Sequence, residues 1–251
     1  MELWEVGVLL AAGIGAGAIN AVVGSGTLIT FPTLLALGFP AVLANVSNNI
    51  GLVPGSASGV WAYRRELSGQ RARVMRLAGC SLAGGIIGAI LLLKLPASAF
   101  DAIVPVLIIL AVVLVIVGPR LNRMIAARRE GAPSHGGFAA LAATFFCGIY
   151  GGYFGAAQGV LLMAFLGILL DDHMQRLNAV KNVLAGLVNL VAAIVFIFST
   201  EVAWDAVAVI AIGSTIGGQL GGMYGRRLPP TVLRGIIVVV GTTAAARLLV
   251  T

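Results

Sequence analysis

Residues 106–117 read VLIILAVVLVIV, and the segment 97–118 around them reaches the roughly 20 residues that a helix needs to cross about 30 Å of hydrocarbon. Such a run constrains the fold more than any other feature of the chain. Inside lipid every backbone polar group must be satisfied internally, which leaves helices and closed barrels. Further greasy segments of helical length follow, so the chain is read as an all-α, polytopic membrane protein with the lipid bilayer as its surroundings. Composition agrees: 59% of the residues are hydrophobic and 10% charged, against roughly 25% charged in soluble domains. The start, MELWEVGVLLAAG, carries Glu2 and Glu5 but no base, and is read as the first helix rather than a cleaved signal peptide.

The net charge of +7 does not point to nucleic acid. A phosphate-binding patch must be exposed and contiguous, whereas these arginines sit in short loops between apolar segments, as the positive-inside rule describes. Cys80 and Cys147 both lie within apolar segments, and are read as small core residues rather than a disulfide or metal site. No cofactor is expected.

Sliding the chain against itself by 133 residues gives an alignment without a gap. Gly15 meets Gly148, Gly26 meets Gly159, Asn45 meets Asn178, and Asn49 meets Asn182. Further along, Ser81 meets Ser214, Gly84 and Gly85 meet Gly217 and Gly218, and Pro96 meets Pro229. The chain has only eight asparagines, so two asparagine pairs at one offset weigh more than matches of Ala or Leu. The reading is a first transmembrane repeat over 1–118, a cytoplasmic linker over 119–136 and a second repeat over 137–251.

Each repeat of about five helical segments has one plan: a long apolar helix (4–22, 137–156), a short one (27–37, 160–170), a long polar-striped one (41–63, 174–198), then two more (74–93 and 97–118; 205–223 and 231–250). At 1.5 Å per residue a segment of about 11 residues covers only half the hydrocarbon, so the short helices read as broken or re-entrant. Loop 64–76 carries five arginines and 119–130 carries four, which puts both in the cytoplasm. The counterpart of loop 64–76 in the second repeat, STEVAWDA, has two acids and no base. The charge bias reverses, so the repeats are expected to be inverted, with both termini outside.

Asn178, Lys181, Asn182 and Asn189 form one stripe at helical spacing, and Asn45, Asn49 and Ser56 form another in the first repeat. All nine acidic residues fall at segment ends or in loops. A cation transporter or a proton relay would want a carboxylate at depth; a buried lysine without one would find its partner in an anionic substrate. Asparagine amides and backbone N–H groups at broken helix ends would complete the shell. Gln158 and Ser25, offset mates in the glycine-flanked turns, are weaker candidates. The bland alternatives stand beside these. Lys181, close to Arg176 near the start of its helix, can snorkel to the headgroups. Membrane asparagines often only join helices, and Asp171 and Asp172 read as a solvated loop.

The stretches GIGAGAINAVVGSGTLITFPTLLALGFP, ANVSNNIGLVPGSASGVWAYRR, CGIYGGYFGAAQGVLLMAFL and LNAVKNVLAGLVN together resemble the sulfite exporter TauE/SafE family, also called the toluene sulfonate uptake permease family. Lys181, Asn182 and Asn189 match its second-repeat signature. The resemblance implies a secondary transporter of small sulfur-containing anions, of the sulfite, sulfonate or sulfoacetate type, in a prokaryotic inner membrane. It would work by alternating access, with Lys181 as electrostatic anchor and Asn45, Asn49, Asn178, Asn182 and Asn189 as donors. Assembly as a homodimer is a further expectation. A passive anion channel, a permease for another organic anion, a membrane scaffold and an intramembrane enzyme are the competing classes; the enzyme lacks a nucleophile, base or metal set at depth.

Overall fold

The computed structural model describes residues 1–126 and 137–224, with Gly235, Val238, Val239 and Thr242 beyond them. The described residues form helices α1 (Leu3–Val22), α2 (Thr27–Ala36), α3 (Ala41–Ala62), α4 (Arg71–Lys94), α5 (Ala97–Ala126), α6 (Phe138–Tyr153), α7 (Gln158–Leu169), α8 (Met174–Ser199) and α9 (Trp204–Tyr224). The helix expected over 231–250 lies, but for those four positions, outside the described residues.

Helices α1, α4, α8, α9 and residues 97–118 of α5 are long and apolar enough to cross a membrane. Helix α3 equals them in length at 22 residues, but its asparagines and serines dilute its apolar character. Helices α2 and α7, of 10 and 12 residues, reach only about 15 and 18 Å at 1.5 Å per residue. The outer face is apolar: Val106, Ile109, Leu110, Val113, Ile116 and Val117 of α5 are exposed. The asparagines of α3 and α8 and Lys181 are turned inward. That distribution suits a hydrocarbon solvent.

Close contacts at glycines fix the senses of the helices. A β-carbon on Gly13 would meet Ile210 and Gly213, one on Gly17 Ser214, and one on Gly221 Ala18, so α1 and α9 run the same way. Gly51 lies on Ile210, Gly55 on Ser214 and Gly222 on Ala62, which adds α3 to that group. Gly84 faces Phe145 and Gly88 faces Ile149, while Gly85 packs on Val188 and Val191 and Ser81 Oγ donates to the Leu184 carbonyl. Helices α4, α6 and α8 therefore form a second parallel group. The glycine pairs at 84–85 and 217–218 serve close helix packing.

The two groups run in opposite senses. Residues 63–70, which join α3 to α4, are wound into hydrogen-bonded turns and cannot run back along a helix of about 33 Å. Only residues 200–203 separate α8 from α9. At one end the Met1 ammonium lies 3.8 Å from the Asp205 carboxylate, so α1 and α9 begin together. At the other, Arg176 Nη1 donates to the Ser68 carbonyl, joining the loop after α3 to the start of α8.

Candidate functional site

Helix α1 leaves its helical path at Gly24, whose φ of +86° is a left-handed conformation that favours glycine. Its N–H donates back to the Ile19 carbonyl. Helix α6 ends in the same way at Gly155, whose N–H donates to Tyr150. Gly155 is the repeat mate of Val22 rather than of Gly24, so the second break falls two residues early. This is why α6 stops at Tyr153 and not near 156, and why α7 begins at Gln158 rather than at 160.

The two breaks touch. Gly159 N–H donates to the Gly24 carbonyl at 3.0 Å, and a β-carbon on Gly24 would stand 2.4 Å from Gly159 Cα. The N-terminal turns of α2 and α7, the positive ends of two helix dipoles, thus meet inside the protein. Ser25 Oγ and Gln158 Nε2 sit in these turns, buried and without a hydrogen-bond partner among the described residues. Gln158 lies against Gly151 of α6.

Lys181 is 0% exposed and does not snorkel. Its stem passes Gly159, with Cδ 3.0 Å from where a β-carbon would stand. Its Nζ donates to the carbonyls of Asn20 at 3.0 Å and Ala21 at 3.5 Å. These belong to the last turn of α1, whose carbonyls have no intrahelical partner and form the negative end of its dipole. The lysine therefore has acceptors in the protein itself, in backbone carbonyls rather than a carboxylate. Asn178 and Asn182 donate to the same Ala21 carbonyl at 3.1 and 3.2 Å.

Asn45 is the counterpart in the first repeat. Its Nδ2 donates at 3.0 Å to the carbonyl of Tyr153, the last residue of α6 and the repeat mate of Asn20. Asn189 Nδ2 lies 3.4 Å from Ser56 Oγ, and these two residues are themselves repeat mates. Asn49 is buried, with its Oδ1 unpartnered among the described residues. All eight sequence candidates are thus buried, yet they are not one shell. Lys181, Asn178 and Asn182 gather at the end of α1, Asn45 at the end of α6, Asn189 at the crossing of α3 and α8, and Ser25 and Gln158 at the breaks.

Sequence reasoning passed over Asn48, although the offset of 133 places it opposite Lys181. Its Oδ1 accepts from Thr30 Oγ1, and its Nδ2 lies 3.4 Å from Thr27 Oγ1. Asp172 was read as a solvated loop residue, but it binds Arg73 Nη1 at 2.5 Å and Arg176 Nε at 2.9 Å. Burial alone would push its carboxyl up. The hydrogen bonds from Arg73, the His173 N–H and Arg176, with the charge of Arg176, outweigh that and hold it below the usual carboxylate range. Among the described residues no group of His, Cys, Asp or Glu could hold a metal ion.

The family model described as "Sulfite exporter TauE/SafE" matches residues 9–248. The chain is 27% identical over 246 residues to "Probable membrane transporter protein YfcA" of Escherichia coli (strain K12), covering 97% of this chain and 89% of that protein. It is 24% identical over 241 residues to "Probable membrane transporter protein" of Haemophilus influenzae, covering 96% and 93%. With "Probable membrane transporter protein ORF9" of a Sinorhizobium species it shares 26% identity over 245 residues, covering 96% and 91%. No solved structure matches the chain.

Proposed function

From the premise that this chain belongs to the sulfite exporter TauE/SafE family and is a multi-pass membrane transporter, we propose that it carries small sulfur-containing anions by alternating access. The observation that carries this reading is the fully buried Lys181 beside the meeting of two helix N-termini, with Ser25 Oγ and Gln158 Nε2 left without a partner among the described residues. Backbone N–H groups at a helix start, hydroxyl and amide donors and one ammonium match the oxygens of a sulfonate or sulfite. The Asn20 and Ala21 carbonyls hold the ammonium in place until the anion takes part of its coordination. Asn178 and Asn182 keep the Ala21 carbonyl satisfied in either state. Asn45, Asn49 and Asn189 line the facing surfaces that move.

The two repeats, 1–118 and 137–251 about a cytoplasmic linker at 119–136, are inverted in this reading. Opposite senses for α1 and its mate α6, α3 and α8, and α4 and α9 support it, as does the contact between the mates Ser56 and Asn189. Two-fold-related residues meet where the axis passes. The membrane is the prokaryotic inner membrane, with both termini outside. Reporter fusions that put loop 64–70 and loop 200–203 on the same side would refute this topology.

The functional test is thermal stabilisation of the purified protein by sulfite, methanesulfonate, sulfoacetate, sulfate, chloride and sodium, for wild type and Lys181→Met. A ligand that binds the folded state raises its stability by mass action. A selective shift by a sulfur anion that is lost in the variant supports the reading. A wild type that no anion shifts, or a folded variant that responds equally, sinks it.

A further inference from the structure

We infer that the anion accepted at this site carries a single negative charge. The inference rests on the reading of Lys181 as the anchor. It comes from counting the charges that the structure brings to the two helix breaks.

Duplication offers two equivalent positions for a cation, 48 and 181, and only one is filled. In the second repeat it is Lys181, with Nζ at the end of α1 and its stem along Gly159. In the first it is Asn48, 1% exposed, which accepts from Thr30 Oγ1 and lies against Thr27 Oγ1. Both threonines belong to α2, so the amide is spent within its own repeat. The repeat mates of Thr27 and Thr30 are Val160 and Met163, which could not have held it.

The helix ends add no net charge. The N-termini of α2 and α7 are each worth roughly half a positive charge, and the C-termini of α1 and α6 each roughly half a negative one. Among the described residues the other buried cation, Arg73, is engaged by Asp172 at the loop end of α4. Among the described residues the formal charge at the breaks is therefore that of Lys181 alone. A monoanion makes the closed site neutral. A dianion leaves one uncompensated negative charge in a low-dielectric interior, which is costly unless paired. For an acid with two ionisations, such as sulfurous acid, the half-protonated form is the one that fits.

The test compares two nearly isosteric anions at one pH and matched ionic strength: methanesulfonate, a monoanion, and sulfate, a dianion with a charged oxygen in place of the methyl. Their stabilisation of the full-length protein in detergent is titrated for wild type, Lys181→Met and Asn48→Lys. The expected result is a midpoint at least about tenfold lower for methanesulfonate in the wild type, and a ratio that falls or inverts in Asn48→Lys. Equal or better response to sulfate in the wild type overturns the single-charge inference while leaving the Lys181 reading intact, provided Lys181→Met loses both responses. An unchanged ratio in a folded Asn48→Lys also overturns it. If neither anion shifts the wild type, or Lys181→Met responds like it, the underlying reading falls and the inference with it. Should Asn48→Lys fail to fold, the wild-type ratio decides alone.

Discussion

Replacing Asp172 with Asn should expose how much the end of the bundle depends on one carboxylate. Asp172 joins three parts of the chain: its own loop after α7, Arg73 on α4 and Arg176 on α8. The Arg73 and Asp172 side chains are 9% and 12% exposed, so solvent does little to screen the pair. Removing one partner of a buried pair costs about 3–5 kcal/mol, because the other charge is left behind. Asparagine keeps one oxygen as an acceptor, and Arg73 keeps its bond to Gln70 Oε1 at 2.6 Å. Together these reduce the expected loss to about 2–4 kcal/mol. At about 2–4 °C per kcal/mol for a chain of this size, the melting temperature in detergent falls by roughly 5–15 °C. The neighbouring exposed Asp171 serves as control, and Asp171→Asn should change little. Because the folded carboxyl lies below its unfolded value, the folded state binds fewer protons. The contribution is therefore complete above about pH 4, the unfolded value, and is lost as pH falls through the folded one. A melting temperature for Asp172→Asn within a degree or so of the Asp171→Asn control at neutral pH would refute the argument. So would a double variant with Arg73→Met that loses the full sum of the two single losses, since coupled groups must not add.

Gly217→Ala places a β-carbon 2.0 Å from the Ile14 carbonyl oxygen and forces α1 from α9; a loss of about 1–3 kcal/mol or more is expected in thermal unfolding, whereas Gly7→Ala meets nothing and should be neutral or slightly stabilising. Gly24→Ala combines a left-handed backbone with a 2.4 Å overlap on Gly159; it should reduce both stability and anion response, since it parts the two breaks. Asn45→Ala and Asn178→Ala each remove one amide donor from a helix-end carbonyl, and each should cost about 1 kcal/mol; a difference of several kcal/mol between them would contradict their equivalence. Cys80 and Cys147 are free thiols, so reductant should leave both the melting temperature and the mobility on a denaturing gel unchanged.

The helix plan was legible because its signals are local. Apolar length marked the long helices, the short pair stood out by arithmetic, and Gly24 with its φ of +86° sits in the glycine-flanked turn that ends α1. The end of α6 was not legible. The offset carries the turn at Gly24 to position 157, whereas the chain already turns at Gly155, with Ala157 also left-handed at φ 59°. The partner of Lys181 was hidden for a different reason. An inventory of side chains finds no carboxylate near it, but the acceptors are backbone carbonyls, present in every residue and made available only where a helix ends. Asp172 was misjudged because its two arginines come from positions 73 and 176, and only the tertiary packing brings the first of them near.

The matches at an offset of 133 residues set the two helix ends side by side. Both long helices that precede a break end on carbonyls that need donors, and each repeat provides an asparagine at the same position: Asn178 for α1 and Asn45 for α6. The end of α6 is thus met by a neutral amide, so an ammonium is not a requirement of ending a helix here. At the end of α1 the Asn20 carbonyl, the offset mate of Tyr153, is met by the Lys181 ammonium instead, and burying that ammonium carries a desolvation cost that the offset mate Asn48 avoids. An ammonium where the other helix end uses an amide, kept at 0% exposure beside two converging helix N-termini, is the feature that the proposed anion, arriving from outside the chain with the opposite sign, would match.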